Sequence, residues 1–150
     1  MKNRNVIEGL FTYRLHVLKK QTDRTMNQAF TDEIALTLTE ARVLLSVGSF
    51  GTLSVSDLGK ASNLDRSQAS RATDILERKG LVEKTSSATD GRGVVVTLTA
   101  KGKKTYTRAA AIAKARNDDI LATLGQAERE ALGKILAKLI AAQGDDETAG

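Results

Sequence analysis

Residues 54–84 read SVSDLGKASNLDRSQASRATDILERKGLVEK, and this stretch holds two helix starts separated by a tight turn. Ser54 with Asp57 three residues on is a variant of the capping box, in which a short polar side chain satisfies first-turn amides. Leu58 and Ala61 then continue a short helix that ends near Asn63. Asp65 with Gln68 repeats the device, and the second helix runs to Lys79, closed by Gly80 at the left-handed position that glycine tolerates. Two short capped helices joined by SNLD are what a helix-turn-helix requires.

The second helix separates into two faces. Ala69, Ala72, Thr73 and Leu76 fall at i, i+3, i+4 and i+7 and should pack inward. Ser67, Ser70, Arg71 and Asp74 form the opposite stripe, with Gln68 at its border. Such a face offers hydrogen-bonding groups at the width of a DNA major groove, and Arg71 is the side chain best suited to guanine.

Downstream, LVEKT reads as a strand, SSATDGRG as a loop, and VVVTLT as a returning strand with period-two alternation. Thr99 then caps a helix over about residues 100–123. Gly125 and Glu128 open the last one, where Leu132, Ile135, Leu136, Leu139 and Ile140 make a continuous apolar stripe before a polar, frayed GDDETAG tail. Upstream, residues 6–29 space Val6, Leu10, Tyr13, Val17 and Met26 as one long amphipathic helix, and Thr39 is read as the N-cap of a second helix that stops in GSFGT.

Composition narrows the chemistry. The chain has 150 residues and a net charge of +5, with no cysteine, no proline, one histidine and 3% aromatics. The core must be aliphatic, and disulfides, thiolate zinc sites, cysteine nucleophiles and thiol redox sensing are excluded. His16 alone supplies neither a His-rich metal site nor an evident catalytic relay, so an enzyme has no constellation behind it and no cofactor is expected. Residues 36–104 carry eleven Lys/Arg against seven Asp/Glu, which makes the middle of the chain its basic part. That balance suits a polyanion. No apolar run reaches the roughly 18 residues of a membrane span, and the start does not resemble a signal peptide, so the protein is expected in the cytoplasm.

LTLTEARVLLSV, the helix pair of residues 56–84, and TDGRGVVVTLTAKG together resemble the core of the MarR family of bacterial transcription regulators. The resemblance lies in the serine-rich helix, in Leu76 to Val82, in the D-x-R of Asp90 to Arg92, and in Leu98 to Gly102. It departs from the family pattern at Lys84, where an arginine is common, in the absence of a wing proline, and at Thr73, a usually aliphatic position. The fold it implies is mainly α with a small β wing: a winged helix-turn-helix over residues 36–104, flanked by dimerisation helices at 1–35 and 105–150.

The function it implies is a homodimeric, sequence-specific DNA-binding repressor, released from a pseudo-palindromic operator in double-stranded DNA by a small, aromatic effector. DNA contacts would come from Ser67, Gln68, Ser70 and Arg71, and from Arg92 in the minor groove braced by Asp90. The dimer interface would use Val6, Ile7, Leu10, Leu132, Ile135, Leu136, Leu139 and Ile140, and Tyr13, Arg14, His16 and Arg42 could line an effector cleft. The competing function is a winged-helix protein-interaction module without specific DNA binding. The polar, serine-rich helix face disfavours it, since protein-docking helices more often expose large apolar anchors.

Overall fold

The computed structural model describes residues 5–87 and 93–144. Its elements are α1 (Val6–Gly9), α2 (Phe11–Ile34), α3 (Leu38–Phe50), β1 (Leu53–Ser54), α4 (Val55–Ser62), α5 (Arg66–Arg78), β2 (Val82–Ser87), β3 (Gly93–Leu98), α6 (Ala100–Ile120) and α7 (Gln126–Gly144). Two compact units result, Met1–Arg116 and Asn117–Gly150.

The first unit is built on an aliphatic core. Leu44 and Val47 of α3, Leu58 of α4, Ala69, Ala72 and Leu76 of α5, and Val82 and Val96 of the sheet are all buried, joined by Phe30 from α2 and Ala109 from α6. The small alanines of α5 occupy the inward stripe that their spacing dictates. Thr73 lies fully buried among them, and its hydroxyl donates to the Ala69 carbonyl at 2.7 Å. A threonine thus replaces an aliphatic residue without leaving an orphaned polar atom.

Caps set the boundaries. Ser54 Oγ accepts from the Asp57 amide at 3.1 Å, and Asn63 ends α4 in the left-handed conformation. Asp65 and Gln68 form a full capping box on α5, and Gly80 follows at φ 75°. The α3 cap corrects the sequence expectation: the N-cap is Thr37, not Thr39. Thr37 accepts from the Glu40 amide while the Glu40 carboxylate accepts from the Thr37 amide, a reciprocal pair that Thr39 has no partner three residues on to make. The long first helix is also divided, because Leu10 is extended (ψ 133°) and interrupts the ladder between α1 and α2.

The sheet is antiparallel in the order β1–β3–β2. Lys84 and Leu53 both pair with Val96, so the two-residue strand β1 makes a third rung that the hairpin pattern alone did not announce. At the base of the hairpin the chain is fastened: Lys101 Nζ, Thr99 Oγ1 and the Thr99 amide donate to the carbonyls of Lys79, Gly80 and Leu81 at 3.0, 2.6 and 3.1 Å. Gly102 sits against the Leu81 carbonyl, where a Cβ would overlap backbone. Thr99 also caps α6 as expected, accepting from the Gly102 amide at 2.9 Å.

In the second unit, the Gly125 amide donates to Glu128 at 3.0 Å and opens α7, as its sequence suggests. No residue of α7 is buried. The tail, residues 145–150, lies outside the described residues.

Candidate nucleic-acid interface

Helix α5 is held by its buried stripe and by caps at both ends, which leaves the opposite face to solvent. Ser67, Gln68 and Arg71 are exposed there and Ser70 is half-buried. Arg71 is not a loose side chain: its guanidinium donates to Ser67 Oγ at 2.9 Å, one turn back. That bond narrows the rotamers of the longest polar group on the face before any partner arrives. Gln68 is tied to the cap, its Oε1 accepting from the Asp65 amide at 3.4 Å, so reading a base edge would mean exchanging that contact.

Asp74, on the same stripe, is engaged elsewhere. Lys84 of β2 forms an ion pair with it, linking the second helix of the motif to the hairpin strand. Lys84 therefore has a partner within the chain at the position where the family pattern favours arginine.

Thr39 is the residue that sequence reasoning misplaced. Freed from capping, it lines a groove of about 280 Å³ between the start of α3 and α5, together with Gln68 and Arg71. The signal was present in the Thr37/Glu40 spacing, which identifies the true cap and leaves Thr39 available.

Asp90 and Arg92 lie outside the described residues. The strands leading to them are paired from Val82↔Leu98 to Ser87↔Gly93.

Glu40 connects α3 to both neighbours. It is 5% exposed, and Lys79 Nζ at the end of α5 reaches it at 3.3 Å while also donating to the Ala35 carbonyl at 2.7 Å. Burial would raise the Glu40 pKa, but hydrogen bonds from the Thr37 hydroxyl and amide and the Lys79 charge outweigh it and hold the carboxyl below its ordinary value of 4.5.

The four effector candidates are not joined by any hydrogen bond or ion pair among the described residues. Arg42 pairs with Asp23 at 3.2 Å, and Arg14 donates to the Glu8 carbonyl at 3.0 Å. The carboxyl of Asp23 is lowered, first by the hydrogen bond from Lys19 and further by Arg42, against a cost of burial. Because Asp23 lies seven residues beyond His16 and ten beyond Tyr13 on α2, Arg42 is anchored about 10 Å along that helix from His16 and about 15 Å from Tyr13.

The proposed interface residues form apolar faces that the chain itself does not cover. Val6 is 82% exposed and Ile140 70%, while Ile7, Leu10, Ile135, Leu136 and Leu139 are also exposed and Leu132 is half-buried. Among the described residues no helix is long and apolar enough to cross a membrane, and no group of three or more His, Cys, Asp or Glu is placed to hold a metal ion.

A family model described as the MarR family matches residues 36–93. The chain is similar to the transcriptional regulator BilQ of Clostridium symbiosum, 29% identical over 96 residues, which is 64% of this chain and 67% of that one. It is similar also to the multiple antibiotic resistance protein MarR of Salmonella typhimurium, 30% identical over 88 residues, or 59% and 60% of the two chains. The matches thus cover at most about two thirds of these relatives. Among solved structures, a MarR/EmrR family transcriptional regulator from an Acinetobacter species superposes with a TM-score of 0.81 at 25% identity, covering 89% of this chain and 94% of that one. BpsR of Bordetella bronchiseptica, whose DNA binding is regulated by 6-hydroxynicotinic acid, gives 0.79 at 24%, covering 87% and 93%.

Proposed function

We propose that this chain, which belongs to the MarR family of winged helix-turn-helix transcriptional regulators, is a homodimeric repressor that binds a pseudo-palindromic operator and leaves it when a small ligand binds. Regulators of this family work by binding rather than by turnover. The observation that carries the DNA-reading role is the face of α5, where Ser67 holds Arg71 in place above a fully buried opposite stripe. Ser67, Gln68, Ser70 and Arg71 read base edges in the major groove, and Arg92, braced by Asp90, enters the minor groove.

Residues 36–104 serve as the DNA-binding part, and residues 1–35 and 105–150 as the dimerisation part. The uncovered apolar residues of α1, the start of α2 and α7 support this assignment, since stripes so exposed are interaction surfaces more often than chance. A two-fold dimer sets half-sites about 34–36 Å apart. The ligand is a small, aromatic compound, a reading supported by BpsR, and Tyr13, Arg14, His16 and Arg42 are its first candidate contacts. The protein acts in the cytoplasm, where its operator is.

The test is a titration of the purified protein against duplexes from its own upstream region and against random duplex, at two salt concentrations. The expected result is a preference of at least a thousandfold for one duplex. Equal affinity for all duplexes at both salts would refute sequence-specific regulation and favour a protein-docking role for the winged helix.

A further inference from the structure

The solvent face of α5 does not end at Arg71. Ser67, Ser70, Arg71 and Asp74 stand at i, i+3, i+4 and i+7, the spacing at which a homeodomain recognition helix presents its base-reading side chains to the major groove. Asp74 closes that series, and its side chain is 51% exposed. On a helix that approaches a polyanion a bare carboxylate is repelled by the phosphates on both sides of the groove. Its presence there needs a physical reason.

The carboxylate is neutralised from one side and left open on the other. Two cations flank Asp74 on its own helix, but neither pairs with the carboxylate: Arg71 donates back to Ser67 Oγ at 2.9 Å, and Arg78 Nε donates to the Asp74 main-chain carbonyl at 3.4 Å. Its partner is Lys84 Nζ, which reaches over from β2 to Oδ1. Oδ2 has no partner among the described residues. A charge-compensated carboxylate with one free oxygen is an acceptor and nothing else. In the major groove cytosine offers an amino donor, guanine and thymine offer acceptors, and adenine sets its amino group beside the N7 acceptor, which repels a carboxylate. Such a group selects cytosine. Arg71 lies three residues back, about 4.5 Å along the helix axis, close to the rise of about 3.4 Å between base pairs, so the two side chains fall on neighbouring base pairs.

We propose that Asp74 is a specificity residue that accepts a hydrogen bond from the amino group of a cytosine, one base pair from the guanine read by Arg71, and that Lys84 is the positioning residue that cancels its charge. The inference rests on the reading of α5 as the DNA-reading helix. It also gives the pair a part in rejecting other sequences, because a carboxylate pressed into a groove that offers no amino group loses water and gains no donor. In that arrangement Lys84 is spent on Asp74 and adds no phosphate contact of its own.

The test selects duplexes of randomised sequence with the intact protein, Asp74→Asn, Lys84→Met and the double variant, and titrates single duplexes at several salt concentrations, with urea unfolding to count the folded fraction of each. Asp74→Asn should replace cytosine by adenine at one position of each half-site, since an amide both accepts from and donates to the adenine edge, and its affinity for the cytosine duplex should fall about five- to thirtyfold. Its binding to random duplex should tighten, with a salt slope steeper by about 0.9, because Lys84 is then free for a phosphate. Lys84→Met should weaken every duplex and make the slope shallower by about 0.9, with cytosine still preferred. The double variant should return random-duplex affinity to that of the intact protein. A base profile left unchanged by Asp74→Asn would overturn the assignment and reduce the pair to a brace between α5 and β2, and so would weaker random-duplex binding in that variant. The two readings fail differently: an intact protein that enriches no sequence refutes α5 as a reading helix and Asp74 with it, whereas an enriched sequence that Asp74→Asn leaves unaltered refutes Asp74 alone.

Discussion

Replacing Glu40 by alanine should destabilise the protein by about 2–3 kcal/mol, and the structure shows where each part arises. The carboxylate accepts from the Thr37 amide at 3.0 Å and from the Thr37 hydroxyl at 2.5 Å, so half of a capping box disappears, at about 1 kcal/mol. The buried methylene that goes with it contributes about 0.8 kcal/mol. The bridge to Lys79 adds no more than about 0.5 kcal/mol, because that side chain is 41% exposed and water screens the pair. Glu40→Gln keeps the shape and an acceptor for the Thr37 amide, and should cost about 1 kcal/mol. Urea unfolding at fixed protomer concentration, with an unchanged m-value, measures both. In thermal unfolding the two losses correspond to about 5–10 °C and about 2–4 °C. The pH dependence has a definite sign. Since the folded-state pKa of Glu40 is depressed, its ionic stabilisation is complete above 4.5 and is lost as pH falls through the folded value. The gap between wild type and Glu40→Gln should therefore hold at neutral pH and shrink below pH 4.5. Alanine and glutamine variants of equal stability would refute this account of the site.

Other substitutions separate the remaining parts. Gly102→Ala places a methyl against the Leu81 backbone and should cost about 3 kcal/mol by chemical denaturation, the upper part of the overpacking range because the obstacle is main chain. Arg71→Ala should lose about 1–3 kcal/mol of operator binding and relax base preference, whereas Arg92→Ala should weaken all duplexes with less change in major-groove preference; binding to a panel of single-base operator variants distinguishes them, and identical profiles would contradict the assigned roles. Leu136→Lys with Ile140→Lys, on the uncovered face of α7, should shift the sedimentation coefficient toward a monomer and weaken operator binding at low protein concentration.

What the sequence revealed depended on whether a signal was local. The caps at Ser54, Asp65 and Thr99 and the stop at Gly80 are read from residues three or four apart, and the structure places each as expected. The buried stripe of α5 follows equally from helical period. Thr37 escaped because two threonines flank Leu38, and only the position of Glu40 distinguishes them. The break at Leu10 is marked only by Gly9, a lone glycine that a helical pattern tolerates, and β1 exists only because Leu53 meets Val96 across forty-two intervening positions of chain. The Lys84–Asp74 pair and the anchoring of Arg42 on Asp23 are likewise products of tertiary placement. Composition supplied the residues for them and no indication of which would meet.

The three donors that α6 and its cap aim at the carbonyls of Lys79, Gly80 and Leu81 are the first of three holds on the hairpin. Strand β1 grips β3 at Val95 and Val96, and Asp74 of α5 holds β2 through Lys84. Only the outer two residue pairs, about 7 Å of paired strand, lie beyond Val95. A tilt of about 5° there displaces the strand ends by about 0.6 Å, comparable to the whole spread of hydrogen-bond distances. So short an arm delivers the strand ends to a nearly fixed place relative to α5.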